Sequence, residues 1–333
     1  MVCPSYSIAT EIEEIDSLKS TQPRRAMRLL DMEMKQADVK DDLSRFAHLK
    51  LLKSEIYYDR NVKDSALTSA WTLLRIVKKS NFNLDGKAYA MLGNIYNKIY
   101  LADSALYYFE KAYQVSNSSD LANRLPLLQK LSTIHKDQGS ISKALEYSLK
   151  GIKYADSLRD AQYQGFFSKR LGEIYQSQGN FQKANSFYMQ ALEIHENNQY
   201  KTGIAATKLQ IGSVFMKSKN YTEAETYFKA SLDLYTELRA SKGIADIYDY
   251  LGLMEYEKGN LQASIVWLKK SLTIRKEENN LADLPKSYVA LANSYLKLKR
   301  YDDALNQTRE GIGFTRKTGA DVQRLDLFRQ FYL

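Results

Sequence analysis

Residues 171–192 read LGEIYQSQGNFQKANSFYMQAL, and the same arrangement of small, aromatic and turn residues returns along most of the chain. The opening Leu171-Gly172 pair has counterparts that begin at Leu92, Leu131, Ile211, Leu251 and Leu291. These leading residues lie 39 residues apart once and 40 residues apart thereafter. A fixed period of this length is typical of repeat architectures, in which each unit packs only on its neighbours.

The pattern within each unit predicts a pair of helices. A small residue lies thirteen positions after each leading residue, at Ala105, Ala144, Ala184, Ala224, Ser264 and Ala304, and the phase extends back to Ala66 and Ala26. The turn between the helices falls at Gly139-Ser140, Gly179-Asn180, Lys219-Asn220, Gly259-Asn260 and Lys299-Arg300. There we expect Gly or Asn to adopt the left-handed conformation that ends a helix. Because apolar residues recur at helical spacing on both sides of the turn, the sequence predicts an all-α chain of about eight helix hairpins.

Small residues inside the predicted first helices need a packing explanation. Glycine in a helix interior costs about 1 kcal/mol relative to alanine. Its return at one phase therefore indicates that the two helices of a hairpin approach closely there. The positions concerned are Gly93, Gly172, Gly212, Gly252 and Ala292.

This pattern resembles the tetratricopeptide repeat family. The family's order of Leu-Gly, Tyr, turn Gly, Ala, aromatic and Ala is matched by Leu171-Gly172, Tyr175, Gly179, Ala184, Tyr188 and Ala191. The resemblance covers about residues 23–320 and implies a right-handed α-α superhelix, or solenoid. The family's usual period is 34 residues, so a 40-residue unit looks like the longer repeats of kinesin light chains, spindle-orientation adaptors and bacterial signalling sensors.

The two ends are less regular than the middle. Residues 1–22 are expected to form an N-terminal arm with a short helix around Glu11 to Leu18. Residues 321–333 place Phe331 in phase with Leu291, which predicts an incomplete helix of a further repeat. Since a solenoid needs a polar terminal cap, we expect this sequence to be part of a longer protein; an effector domain after residue 333 belongs only to the more specific hypothesis of a signalling protein.

Charge and cysteine content limit the classes of function. The net charge is +9, but Lys and Arg are spread among Asp and Glu along the array, so nucleic-acid binding is the alternative rather than the leading hypothesis. The single Cys3 cannot form an internal disulfide; its alternative to an ordinary cysteine is a lipid-bearing residue exposed by leader removal. No apolar run is long enough to span a bilayer. We expect a cytoplasmic protein, or a periplasmic one if a leader has been removed.

The sequence contains no recognisable catalytic or metal-binding motif. His48, His135 and His195 fall in different repeats without a partner at metal-ligand spacing, and His135 is expected to pack between helices. Asp85-Gly86-Lys87 lacks the upstream glycine of a phosphate-binding loop, and we interpret it as the start of a helix. The prediction is a protein that is not an enzyme, without cofactor, metal or small-molecule substrate.

The family resemblance implies that the first helices line a concave groove. Positions two before, two after and five after the leading residue then face a partner. The residues that we predict to bind a protein or peptide are Asn94, Asn97, Lys136, Lys169, Gln176, Met216, Asp249, Tyr256 and Asn293. Around Asp249 the unit is acidic, which fits either a basic or amphipathic peptide ligand or a solvated helix. A clamp for a chaperone's terminal carboxylate is not predicted, because Thr133 and Glu173 occupy positions where the family uses Asn and Lys or Arg.

Together these observations favour a non-catalytic binding scaffold. A more specific hypothesis is the sensory or interaction module of a bacterial signalling protein.

Overall fold

The computed structural model describes residues 8–39, 42–79, 84–278 and 283–318. In these ranges it contains sixteen α-helices and no strand, which confirms the predicted all-α class. The helices are α1 Ile8–Thr21, α2 Pro23–Val39, α3 Leu43–Asp59, α4 Lys63–Lys79, α5 Asp85–Lys98, α6 Ala102–Val115, α7 Leu121–Asp137, α8 Ile141–Leu158, α9 Ala161–Ser177, α10 Phe181–Asn197, α11 Lys201–Lys217, α12 Tyr221–Glu237, α13 Ser241–Lys258, α14 Leu261–Glu277, α15 Leu284–Lys297 and α16 Tyr301–Thr318. Cys3 and the helix expected within 321–333 lie outside the described residues.

The chain divides into two compact units, unit 1 (residues 1–147) and unit 2 (residues 148–333). Within each unit an odd-numbered helix packs against the even-numbered helix that follows it. Odd-numbered helices also contact one another: α1 with α3 and α3 with α5 in unit 1, and α9, α11, α13 and α15 in succession in unit 2. We call the side formed by the odd-numbered helices the inner face of each unit. It corresponds to the face on which the partner-binding residues were predicted.

The turns within the hairpins correct one expectation. Gly139, Gly179 and Gly259 have φ values of 75°, 74° and 89°, as expected. Where glycine is absent, however, the left-handed residue is Lys219, at φ 59°, and not Asn220, which has φ −90° and stands before α12. The turn geometry fixes which position must be left-handed, so the residue there adopts it even when a neighbour has the better intrinsic preference.

The small residues of the first helices lie under large side chains of the second helices. A Cβ added to Gly93 would be 2.7 Å from Cδ1 of Phe109, and one added to Gly172 would be 2.6 Å from Cδ1 of Tyr188. At Gly212 the Cβ would also lie 3.2 Å from the carbonyl oxygen of Ala224, the small residue of the next helix. The close approach expected from the sequence is therefore mostly a ring against a helix backbone.

Stacked rings join the two helices in four hairpins. The ring centroids of Tyr96–Tyr108, His135–Tyr147, Tyr175–Phe187 and Phe215–Tyr227 lie 5.3, 5.5, 5.4 and 5.5 Å apart, with interplanar angles of 16° or less. His135 is only 2% exposed, which confirms that it packs between helices. These repeated rings thus serve first to hold the two helices of a hairpin together.

Candidate functional site

The inner face of unit 1 holds a cavity of about 460 Å³ between α1, α3 and α5. Its floor is apolar and its rim is polar. The apolar lining consists of Ile12, Leu51, Leu52, Ala90 and Met91, and the polar lining of Glu13, Asp16, Lys19, His48, Glu55, Lys87 and Asn94. We call this space the inner-face cavity. Three successive first helices contribute to it, so its shape depends on their packing.

Charged side chains at the rim are already arranged in pairs. The Lys19 ammonium lies 2.7 Å from a carboxylate oxygen of Asp16 and 2.7 Å from one of Glu55. Burial lowers the pKa of Lys19, but the bonds to the two carboxylates outweigh it and the pKa is raised overall. Lys19 thus stays charged, and its two partners leave one negative charge in excess at this part of the rim.

His48 presents a defined ring nitrogen to its surroundings. Its Nδ1 lies 3.0 Å from the carbonyl oxygen of Ser44, one turn earlier in α3. Because a carbonyl oxygen can only accept, Nδ1 carries the proton in this arrangement. With Nδ1 engaged in this way, Nε2 is the ring nitrogen that remains for other contacts, and His48 lines the inner-face cavity.

The predicted partner-binding residues of unit 1 lie in different surroundings. Asn94 is half-buried and lines the inner-face cavity. Asn97 is exposed, and Lys136 is half-buried with its ammonium 3.4 Å from a carboxylate oxygen of Asp137. The sequence did not single out Leu51, Leu52 or Ile12, because the irregular first repeats gave no clear register there.

In unit 2, two of the predicted residues take part in polar contacts along the inner face. Lys169 forms an ion pair with Glu173 at 2.7 Å. The Gln176 amide nitrogen donates to the hydroxyl oxygen of Ser213 at 2.6 Å, and its oxygen accepts from the hydroxyl of Tyr188 at 2.7 Å. Gln176 therefore joins α9, α10 and α11, and it would have to give up these bonds to bind a ligand.

Met216 is placed in the core, with no part of its side chain exposed. The other two groove positions of α11, Leu209 and Ser213, are 4% and 1% exposed. Met216 and Leu209 belong to an apolar cluster that includes Ile247 and Leu251 of α13. On this helix the positions that the resemblance directs to the groove are thus covered by the neighbouring repeat.

The acidic part of unit 2 surrounds a buried arginine. The Arg275 guanidinium lies 2.7 Å from a carboxylate oxygen of Asp246 and 2.7 Å from one of Asp249. It also donates to the Ser271 hydroxyl at 3.2 Å and to the Asp283 carbonyl at 3.1 Å. Asp249 is therefore not a free carboxylate, because it shares the single charge of Arg275 with Asp246.

Burial is the main influence on the titration of these aspartates. It raises the pKa of Asp246 to about 6, against the lowering effect of Arg275. It raises the pKa of Asp249 as well, again opposed by Arg275. The sequence could not reveal this arrangement, since Arg275 follows Asp249 by 26 residues and stands on the second helix of the hairpin.

The last two predicted residues lie toward the C-terminal part of unit 2. The Lys297 ammonium stands over the Tyr256 ring, 4.4 Å from its centroid, and Tyr256 is half-buried. Asn293 is exposed. Tyr256 and Asn293 thus remain accessible on the inner face. The ring of Tyr256 already contacts one cation, Lys297.

No group of His, Cys, Asp and Glu side chains in the described ranges is arranged to hold a metal ion. Among the same residues, no helix combines the length and the apolar character needed to cross a bilayer.

Comparison with known proteins identifies the repeat. Residues 170–198 and residues 203–277 each match a family profile described as tetratricopeptide repeat. The chain therefore carries tetratricopeptide repeats, as the pattern around Leu171 predicted. No curated protein sequence matches it.

Several solved structures share the fold at low sequence identity. The apo form of the quorum sensor NprR from B. thuringiensis has a TM-score of 0.73 at 16% identity, over 95% of this chain and 89% of that one. Apo RapI has a TM-score of 0.70 at 16% identity, over 81% and 98%. The Rap conjugation gene regulator of plasmid pLS20, in complex with the Phr* peptide, has a TM-score of 0.62 at 15% identity, over 84% and 78%. At these identities the likeness establishes the helical-repeat fold.

Proposed function

We propose that this protein is a non-catalytic binding module that holds an extended peptide or a protein segment on the inner face of unit 1. The observation that carries the proposal is the inner-face cavity, with its apolar floor and polar rim. A binding site of this kind combines a concave apolar surface with a few polar groups that fix the orientation of the ligand.

The size of the cavity suits side chains of a peptide. Its volume of about 460 Å³ has room for one or two large apolar side chains. Removing one such side chain from water contributes about 1.5–3 kcal/mol. Leu51, Leu52 and Met91 are 8%, 7% and 5% exposed, so the floor is part of the packed core and is formed before a ligand arrives.

The charges at the rim favour a basic residue next to the apolar side chain. Lys19 is neutralised by Asp16 and Glu55, which together carry one charge more than it does. Glu13 adds a further carboxylate to the lining, and Lys87 is the remaining cation. A ligand with an apolar residue followed by Lys or Arg would therefore match both the floor and the rim.

Two of the similar structures support a signalling role. NprR is described as a quorum sensor and the pLS20 Rap protein as a gene regulator bound to a peptide. The same fold in this chain makes a sensory or interaction module of a signalling protein the more specific version of the proposal. Asn97 and Lys136 remain candidate contacts for longer ligands of unit 1, and Lys169, Asp249, Tyr256 and Asn293 remain separate candidate contacts of unit 2.

The proposal can be tested by selection from a display library of random 12-residue peptides on the immobilised chain. Enriched peptides should combine apolar and basic residues and bind the free protein in calorimetric titration. Ala90→Phe fills the cavity with a ring, and Glu13→Lys reverses a rim charge; each should weaken binding at least tenfold. Ala122→Phe adds the same ring at an exposed position of α7 and serves as the control.

Enriched peptides that bind all three variants as they bind the original protein would refute the location of the site. If no peptide is enriched more strongly on this chain than on an immobilised unrelated helical protein, peptide binding itself is contradicted.

A further inference from the structure

A cluster of aromatic rings on α4, α5 and α6 lies outside the inner-face cavity. Tyr108 stands at its centre, with ring centroids 5.3 Å from Tyr96, 5.8 Å from Trp71 and 5.0 Å from Tyr107. Tyr89 is stacked 6.3 Å from the same ring. We call Trp71, Tyr89, Tyr107 and Tyr108, together with the cations described next, the α4–α6 aromatic surface.

Two of these rings are exposed to solvent, although core packing does not need an exposed ring at either position. The exposed fraction is 39% for Trp71 and 54% for Tyr107. Buried rings that pack on the small residues, such as Phe109 on Gly93, already join the two helices. Large exposed rings in contact with one another are typical of protein interfaces, since they offer apolar area with little loss of side-chain freedom.

Cations surround the rings. Arg75 and Lys78 follow Trp71 by one and two turns of α4, and Lys79 comes next. The Lys78 ammonium lies 5.9 Å from the Tyr89 centroid and the Lys111 ammonium 5.7 Å from that of Tyr107.

Among the described residues, these cations have no ion-pair partner. Residues 65–79 of α4 contain no Asp or Glu, and among the described residues no carboxylate pairs with Arg75, Lys78, Lys79 or Lys111. The acidic residues of α6 contact α7 instead: Asp103 accepts a hydrogen bond from the Gln138 amide, and Glu110 lies 3.6 Å from the His135 ring. The surface therefore combines exposed rings with cations that have no carboxylate partner among the described residues.

We propose that the α4–α6 aromatic surface binds an acidic segment of a partner protein, with apolar side chains against Trp71 and Tyr107 and carboxylates on Lys78 and Lys111. Two features favour a peptide over single-stranded nucleic acid, which binds by stacking bases on free ring faces. Tyr108 is stacked on Tyr96, and the ammonium of Lys111 stands over the ring of Tyr107. One face of Tyr108 and one face of Tyr107 are thus already occupied.

The two tryptophans of the chain allow a direct measurement. In a Trp267→Phe background, Trp71 is the only indole, so its fluorescence reports on the surface. The probes are a 12-residue peptide of four leucines and eight glutamates, the same peptide with lysines in place of glutamates, and a 12-nucleotide oligo-dT. The acidic peptide should give a saturable change that weakens with added salt, and the lysine peptide should give none.

Variants identify the contacts. Lys78→Glu combined with Lys111→Glu should weaken the acidic peptide at least tenfold and create binding of the lysine peptide. Tyr107→Ala should weaken the acidic peptide several-fold without loss of helicity in circular dichroism. Lys153→Glu makes the same charge change on the exposed side of α8 and should leave binding unchanged.

Equal responses to the two peptides, tighter binding of oligo-dT, or no saturable change with the acidic peptide at about 1 mM would each overturn this proposal. Ala90→Phe should not affect the signal, so failure here and failure of the inner-face site can be told apart.

Discussion

Gly93 offers the sharpest test of the packing that holds each hairpin together. It lies within α5 under the ring of Phe109, which is 1% exposed. In a Gly93→Ala variant the new Cβ would be 2.7, 2.8 and 3.0 Å from Cδ1, Cε1 and Cγ of that ring. Carbon atoms at ordinary contact are about 3.5–4.0 Å apart, so the ring or the helix has to move.

The expected magnitude follows from two opposing effects. Alanine favours a helix interior over glycine by about 1 kcal/mol, whereas overpacking a core costs about 1–3 kcal/mol. Because Phe109 is enclosed on all sides, the second effect should dominate. We expect Gly93→Ala to lower the free energy of unfolding by about 1–2 kcal/mol. In a Phe109→Ala background the same change should be favourable by about 1 kcal/mol, which gives a coupling of about 2–3 kcal/mol.

The assay combines urea unfolding with hydrogen exchange. Repeat arrays can unfold in parts, so exchange measured by mass spectrometry is needed to locate the loss in α5 and α6. Gly86→Ala in the same helix is the control, since its Cβ would meet nothing closer than 3.7 Å. A coupling below about 0.5 kcal/mol, or a Gly93→Ala variant as stable as the control, would refute the role of the ring.

Three further predictions concern the polar contacts of unit 2. Arg275→Met should destabilise α13 to α15 by about 1–3 kcal/mol, because two half-buried carboxylates lose their partner. Lys229→Met, which removes an exposed pair, should cost less than about 0.5 kcal/mol; urea unfolding with hydrogen exchange measures both. The pKa of Asp246 is raised by burial to about 6, so the stability that it contributes is greatest below its ordinary pKa and falls as pH rises through 6. Between pH 4.5 and 7 this fall should amount to about 1 kcal/mol of unfolding free energy after solvent screening, and Asp246→Asn should reduce it. Unfolding curves of the variant that show the same loss of stability with pH as the original protein would contradict this prediction. Gln176→Leu should cost about 1–3 kcal/mol by leaving the Tyr188 hydroxyl unsatisfied, and Tyr188→Phe should recover much of that loss; additive effects in thermal unfolding would argue against their bond.

Part of the candidate site followed from the sequence and part did not. Asn94 was predicted on the groove and lines the inner-face cavity, because its register comes directly from the leading Leu92. The prediction that Met216 contacts a partner does not fit its full burial. The resemblance gives the direction of a side chain from its own helix but not the depth to which the next repeat covers it. The same limit applies to Asp249, whose partner Arg275 stands on a different helix.

The repeat, the hairpins and the residues that pack within each hairpin were all predictable from the sequence. These features are local: the small residue and the ring above it lie sixteen positions apart, as Gly93 and Phe109 do, and helical spacing brings them together. The positions that stay open on the inner face, the cavity between α1, α3 and α5, and the charges that neutralise one another became visible only in the folded chain. Those outcomes depend on how neighbouring repeats pack. Packing is the sum of small differences in side-chain volume and helix position over several helices, so it cannot be inferred from the sequence of one repeat.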